Sequence, residues 1–385
     1  VKKLAILTGG TALILLLFLL GPWSEPLKGR VLSRGETSLA ATEPAVEELP
    51  GLPGGEPETG LSTPDAEPSP TKRPFTLAVV GDVLLDRAVG NAIQRHGPDY
   101  PWEQTGLLAE ADIALANLET SVSTRGKAQD KKWTFRSKPE TLDGVARAGI
   151  DIVTLANNHA LDFGEQALLD TLEHLRSRGI AYIGAGANMD EARAPYITDV
   201  NGHVVAFLGF TVVTPQGWEA GKQKPGVNSG WDNKAMFAAV EQAKKQADFV
   251  VVYMHWGVER EDQPSKAQRY LGRRLVEAGA DLVVGSHPHN LQGIEFYQGA
   301  PVVYSLGNFV FTDSGVPKTL ETGILSVKVE DGRITEMALT PYIISAGRPV
   351  RLEGDKAKAV LNRFAGLCGK LGTEVTGDGM IKVPE

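Results

Sequence analysis

Residues 155–164, LANNHALDFG, decide how the fold is organised. They follow an apolar run, Gly149-Ile150-Asp151-Ile152-Val153-Thr154-Leu155, and precede an amphipathic one. The local order is therefore strand, tight polar turn, helix. The turn gathers Asn157, Asn158, His159 and Asp162. Polar groups at the carboxyl end of a buried strand are where open α/β sheets place their chemistry. Taken alone, the turn fits a capping Asn and a surface His equally well. Recurrence of the same design along the chain favours a site.

Upstream, residues 75–80 (FTLAVV) form a strand-type run that ends in Gly81-Asp82. Asp82 suits a metal or substrate ligand there, or a cap for the next helix. Residues 112–118 (DIALANL) deliver Asn117-Leu118-Glu119-Thr120. Downstream, residues 248–254 (DFVVVYM) deliver His255-Trp256-Gly257-Val258-Glu259. Residues 281–284 deliver Gly285-Ser286-His287-Pro288-His289. In extended backbone, residues i and i+2 point to one side. Pro288 also restricts His287 toward that conformation, so both imidazoles are expected to face one point.

Between these exits, the spacing predicts helices over 139–148, 164–178, 232–247, 264–278 and 355–371. Leu168, Leu172 and Leu175 share a face of the second, and Ala267, Leu271 and Leu275 a face of the fourth. Hairpins are expected about Asn201-Gly202, Gln298-Gly299 and Asp331-Gly332. His174 and His203 read as structural or surface residues, and the last residues as frayed. Residues 211–233 form a long loop with Trp218 and Trp231, suited to a lid or substrate wall. Residues 121–138 form a loop with Arg125, Lys127, Lys131, Lys132 and Arg136. It suits an anionic or polymeric substrate, or is simply solvated.

The chain has 385 residues, a net charge of −8 and one cysteine, Cys368. With no long basic run, nucleic acid is not an expected partner. One cysteine excludes an intrachain disulfide and a cysteine-based zinc site. Lys2 and Lys3 precede an apolar stretch, Leu4 to Leu20, near the short limit for crossing a bilayer. Residues 1–23 are expected to be a retained signal anchor with a cytoplasmic amino terminus, a cleaved signal peptide being the alternative. Residues 24–74 are dense in Pro, Glu, Gly, Ser and Thr, and read as a disordered linker. The expected organisation is then a folded domain over 75–345 outside the cytoplasm, at the cell membrane, and a C-terminal helix and tail over 346–385.

Carboxylates, an amide and imidazoles together suit Mn²⁺, Fe or Zn²⁺. Asp82, Glu119, Asn158, His255, His287 and His289 are too many ligands for one catalytic zinc. They suit two ions about 3.5–4 Å apart. The order Gly-Asp, Asn-Leu-Glu, Asn-Asn-His-x-x-Asp-x-Gly, His-Trp-Gly-x-Glu, Gly-x-His-Pro-His and Ser-Leu-Gly-Asn-Phe resembles the CapA family of capsule-synthesis proteins associated with poly-gamma-glutamate. That family belongs to the calcineurin-like metallophosphoesterases.

The resemblance implies an α/β fold, a four-layer α/β/β/α metallophosphatase-like sandwich. It implies that Glu119 bridges two metals, that Asn158, His255 and His287 complete one site, and that Asp82 and His289 hold the other. His159 with Asp162 resembles the pair that protonates a leaving group or holds a phosphate oxygen. Arg87, Asn117, Trp256, Glu259 and Asn308 are the expected substrate-binding residues. One departure is visible: the superfamily's Asp-x-His is here Asp82-Val83-Leu84, so one ligand of the first metal is missing.

Three functions follow. The favoured one is a membrane-anchored part of the machinery that makes or exports an anionic polymer such as poly-gamma-glutamate, partnered by membrane-bound synthase subunits. The others are a freestanding cell-surface metallohydrolase for phosphoesters or amides, and a non-catalytic polymer-binding module.

Overall fold

The structure is a computed structural model that describes residues 72–384. The expected anchor and nearly all of the expected linker lie outside the described residues. Among the described residues, no helix is long and apolar enough to cross a membrane.

Two sheets carry the fold. The first has nine strands, and its central path runs Arg348–Arg351, Arg333–Ser345, Glu321–Glu330, Phe75–Val83, Ile113–Leu118, Ile152–Thr154, Ala181–Ile183. The second has six strands, in the order Ile294–Tyr297, Ala300–Val303, Leu282–Ser286, Phe249–His255, His203–Thr211, Tyr196–Val200. Within each sheet, the strands that deliver the polar motifs are parallel neighbours. Phe75–Val83 pairs with Ile113–Leu118, which pairs with Ile152–Thr154; Phe249–His255 pairs with Leu282–Ser286. Parallel strands end on one side, so their exits are gathered without further instruction.

The core has three apolar zones. Leu77, Val79 and Leu115 of the first sheet meet Phe207, Val251 and Val284 of the second. On the outer face of the first sheet, Ala78, Val80 and Ala116 pack with Leu142, Leu168 and Leu172 from helices. On the outer face of the second, Leu208, Val250 and Val252 pack with Met236, Val240, Leu271 and Leu275. The order is thus helices, sheet, sheet, helices. Strands buried on both faces explain why their sequences are continuous apolar runs instead of alternating ones.

The five expected helices form, one of them rotated, and Arg87–His96 and Met189–Arg193 add two that were not expected. In Lys266–Glu277 the buried face is Gln268, Leu271, Gly272, Leu275 and Val276, while Ala267 is exposed. Gln268 is inside because it closes a capping box with Ser265 and its amide donates to Gln292 Oε1 at 2.9 Å. Polar bonding, not apolar spacing, selects that face.

The tail departs from expectation too. Arg348–Arg351 and Met380–Ile381 both pair with Arg333–Ser345, and Ile381, Phe364 and Cys368 pack between the sheets. Residues 346–384 therefore complete the core, and the strand Met380–Ile381 lies where frayed residues were expected. The two-residue strand near the end carries too little pattern to be legible in sequence.

Candidate metal centre

The strand exits meet in one buried cluster. Asp82 lies within the Phe75–Val83 strand and caps no helix; Asp86 occupies the N-cap of Arg87–His96. In register, Asp82 faces Asn117 on one side and Asn308 on the other. Its backbone N–H donates to the Gly307 carbonyl, and the Glu119 N–H donates to the Val83 carbonyl, each at 2.9 Å. The sheets are tied beneath the cluster by the Tyr253 hydroxyl, which donates to the Val80 carbonyl at 3.0 Å.

Glu119 is fully buried, and neither of its carboxyl oxygens has a hydrogen-bond donor among the described residues. Its Oε1 lies 3.5 Å from His255 Nε2 and 3.9 Å from His159 Nε2. Ligand atoms of Glu119, His287 and His289 fall within 4.8 Å of one another. Asp82 adjoins this set, with Oδ2 3.2 Å from His289 Nδ1, while its Oδ1 accepts from the Asn117 amide at 2.8 Å. Asn158 adjoins from the other side, its Oδ1 2.9 Å from His255 Nε2. His255 Nδ1 sits 3.1 Å from Ser286 Oγ. The six expected ligands are therefore contiguous.

The convergence of His287 and His289 has a different cause from the one the sequence suggested. Their backbones are not extended: φ is +94° at His287 and +59° at His289. Non-glycine residues in that region cost on the order of 1–3 kcal/mol and persist where surroundings fix them. Here the Arg260 N–H donates to the Pro288 carbonyl at 2.7 Å, and Asn308 Oδ1 lies 2.8 Å from His289 Nδ1. A tight turn, not a strand, brings the rings to 5.9 Å between centroids.

Charge is distributed unevenly. Burial, with the neighbouring His287 and His289, holds His255 well below the usual imidazole range. Burial, with the neighbouring His289, brings His287 down to about 3. Burial works against a charge on His289 as well, but Glu119 and Asp82 win and hold it up at about 10. Burial, then the Asp82 charge, pushes Glu119 well above the carboxylate range. The Asp82 carboxylate and the Glu119 carboxyl thus flank one imidazole that is held toward its charged form. Asp82 Oδ2, both Glu119 oxygens and His287 Nδ1 lack hydrogen-bond partners among the described residues. Such groups cost several kcal/mol when left uncompensated. A divalent cation would satisfy all of them, so the donor set fits a metal.

Beside the cluster, Asp162 Oδ2 lies 2.6 Å from His159 Nδ1 and accepts the Phe135 N–H at 2.7 Å. Burial outweighs Asp162 and lowers His159 from its ordinary value, so the ring is held neutral and oriented. Lys131 completes the arrangement: its Nζ donates to Asp162 Oδ1 at 2.8 Å and to the Asn158 carbonyl, and lies 5.0 Å from the centre of the Trp218 ring. Sequence reasoning left Lys131 among the loop cations. Nothing local marked it, since its partner lies 31 positions away. Ser286 was also missed, although its place one residue before His287 and opposite His255 in register was a usable signal.

A cavity of about 370 Å³ opens beside His159 and His289. Of the residues expected to bind substrate, Arg87, Glu259 and Asn308 line it. Asn117 and Trp256 do not. Asn117 is wholly buried, bonded to Asp82 and Asn157. Trp256 is wholly buried in the second sheet's outer core, and its indole N–H donates to the Tyr304 carbonyl at 2.9 Å. Trp256 follows a strand whose outer face is covered by helices, so its size is used for packing.

Residues 76–313 match the family described as bacterial capsule synthesis protein PGA_cap. This chain belongs to that family. Within it, the chain is 35% identical over 283 residues to the capsule biosynthesis protein CapA of Bacillus anthracis, covering 71% of this chain and 69% of that one. It is 34% identical over 288 residues to the PGA biosynthesis protein CapA of Bacillus subtilis, covering 74% and 75%. Among solved structures, it resembles the NAD nucleotidase of Haemophilus influenzae with a TM-score of 0.40 and 14% identity, covering 76% of this chain and 62% of that one. The chain thus spans less than two thirds of that nucleotidase. The PGA_cap match includes every residue of the cluster, from Asp82 to His289.

Proposed function

We propose that this PGA_cap protein works on a capsule polymer of the poly-gamma-glutamate type, outside the cytoplasm, through a divalent-metal centre. The amino-terminal apolar segment would tether it to the membrane beside the polymer synthase. The observation that carries the metal reading is Glu119, whose two buried oxygens have no donor inside a ring of imidazoles. Glu119, His287 and His289 would hold one ion, with Asp82 beside them. Asn158 and His255, sharing Glu119, would hold a second. Mn, Fe or Zn suits this donor set. When bound, such ions supply hydroxide near neutral pH and stabilise charge on the attacked group.

The chain's own residues would do the rest. Asp162 fixes the His159 ring through Nδ1, which leaves Nε2 directed toward the Glu119 side to hold or deliver a proton. Asn308 orients His289, and Ser286 orients His255. This pairing of an oriented imidazole with a metal centre also favours a hydrolase of phosphoesters or amides as the second reading.

Elemental analysis of the purified chain tests the proposal, with poly-gamma-glutamate and a panel of phosphoesters as substrates. About two equivalents of Mn, Fe or Zn, lost in His287→Ala, would support the centre. Full metal retention in His287→Ala would sink it. Turnover of the phosphoesters alone would move the assignment to the second reading.

A further inference from the structure

Position 84, where the Asp-x-His pattern carries an imidazole, holds a leucine in this chain. Val83 and Leu85 pack in the outer core of the first sheet, which leaves Asp82 and Leu84 on the opposite side of the strand. Alternate residues of extended backbone share a side. Leu84 is buried there and lines the same cavity as His289. An ion held by Glu119 and His289 beside Asp82 would therefore find no donor at position 84. What replaces it has to come from the cavity.

Most of the oxygens lining that cavity are already bonded. Asp313 Oδ1 accepts the Gly315 N–H at 2.7 Å, and the Ser314 and Thr319 hydroxyls lie 2.8 Å apart. Asn308 is bonded to His289 and to the Thr319 carbonyl. Thr312 Oγ1 has no hydrogen-bond partner among the described residues, but a hydroxyl brings no charge to set against that of the ion.

Glu259 is different. It lines the cavity, it is exposed, and its carboxylate enters no hydrogen bond or ion pair among the described residues. Its backbone is fixed on both sides. The Arg260 N–H donates to the Pro288 carbonyl at 2.7 Å, and the Glu261 carbonyl accepts from the Asn290 and Gln292 amides at 3.2 and 2.8 Å. Residues 255–261 thus start at one expected ligand, His255, and are tied to the turn that carries His287 and His289. Burial and the Asp82 charge dominate at Glu119, and burial and Glu119 dominate at His289, but the Glu259 charge acts on both.

We propose that the Glu259 side chain turns inward and completes the first metal site, in place of the imidazole that position 84 lacks. This rests on the metal-centre reading. The donors on that side are then the carboxylates of Asp82, Glu119 and Glu259 with the imidazole of His289. Such an oxygen-rich set suits Mn²⁺ better than the side that holds His255 does.

The test is calorimetric titration of the metal-stripped 385-residue chain with Mn²⁺, using Glu259→Gln and Asp313→Asn. Wild type should take up about two ions per chain. In Glu259→Gln one of the two should bind about tenfold or more weakly, a loss on the scale seen when support for a metal site is removed, and the other should be unchanged. Asp313→Asn removes an equal charge from the same cavity and should match wild type. Both positions are exposed, so the metal-free variants should melt with the metal-free wild type. The titrations are repeated at about 1 M salt, where the Debye length is about 3 Å. A deficit that persists there is the loss of a ligand. A deficit that disappears there is an effect of charge at a distance and overturns the proposal, as does an equal deficit in Asp313→Asn. Wild-type Mn²⁺ binding in Glu259→Gln overturns the proposal and leaves the metal centre standing. No uptake of Mn²⁺ or Zn²⁺ by wild type overturns the metal-centre reading itself.

Discussion

Lys131 Nζ lies 2.8 Å from the carboxylate of Asp162, the residue that orients His159. The Lys131 side chain is only 19% exposed, and that of Asp162 is fully covered. The loop that carries Lys131 is pinned to the helix Gly164–Arg176: Ser123 and Arg125 bond Asp170, and the Val122 N–H donates to Thr171 Oγ1 at 2.8 Å. A loop that reads as solvated is thereby a wall of the site.

Lys131→Ala should destabilise the fold by about 3 kcal/mol, the low end for removing one member of a buried ion pair. Asp162 keeps its bonds to Phe135 and His159, which limits the loss. Lys132→Ala should change stability by less than about 0.5 kcal/mol, as for an ordinary surface site. Urea denaturation of both variants decides the matter; equal effects would remove Lys131 from the site.

Glu119→Gln should separate metal binding from folding. Without metal, wild-type Glu119 is a buried carboxyl raised by burial and by Asp82. Gln removes that conflict, so the metal-free variant should melt above the metal-free wild type. Saturating metal, at about a hundredfold over Kd, should add about 2.7 kcal/mol to the wild type. The variant should gain little. A chelator titration followed by melting temperature reads both effects, and an equal metal response would contradict the assignment of Glu119.

Asp170 gives the acid limb of stability a defined contribution. The Arg125 guanidinium, helped by Ser123 and Gln166, holds its carboxyl at about 2, against 3.8 ordinarily. The folded state therefore resists protonation that the unfolded chain accepts. The contribution is complete above pH 4 or so and is lost as pH falls toward 2. In Asp170→Asn this part of the slope should vanish. Denaturation midpoints between those values, at constant ionic strength, measure it.

Gly81→Ala should fail to fold well. A Cβ at position 81 would stand 1.8 Å from the Gly307 carbonyl oxygen, which is backbone and cannot swing aside. That close approach lets Asp82 sit opposite Asn308. Strand separation would cost about 3 kcal/mol. A soluble variant with wild-type melting temperature would show that the two strands can part freely.

The sequence by itself determined the principal strands, five of the helices and the set of polar exits. Apolar runs buried on both faces, followed by Asp82, Glu119, His255 and the residues His287-Pro288-His289, are local patterns that need no partner to be legible. They also placed these polar side chains in one neighbourhood, because parallel strands end on one side of a sheet. Only the tertiary structure decided which polar residues face the cavity and which support it. Trp256 and Asn117 look like site residues from their motifs, yet strand facing puts one in the core and the other beneath Asp82. The imidazoles of His287 and His289 converge through left-handed backbone that spacing cannot reveal. Lys131, Arg136 and Lys138 sit in one loop with one composition. Their separate places, Lys131 against Asp162 and Arg136 against the Phe163 ring, depend on contacts with distant strands and helices, which a sequence pattern does not encode.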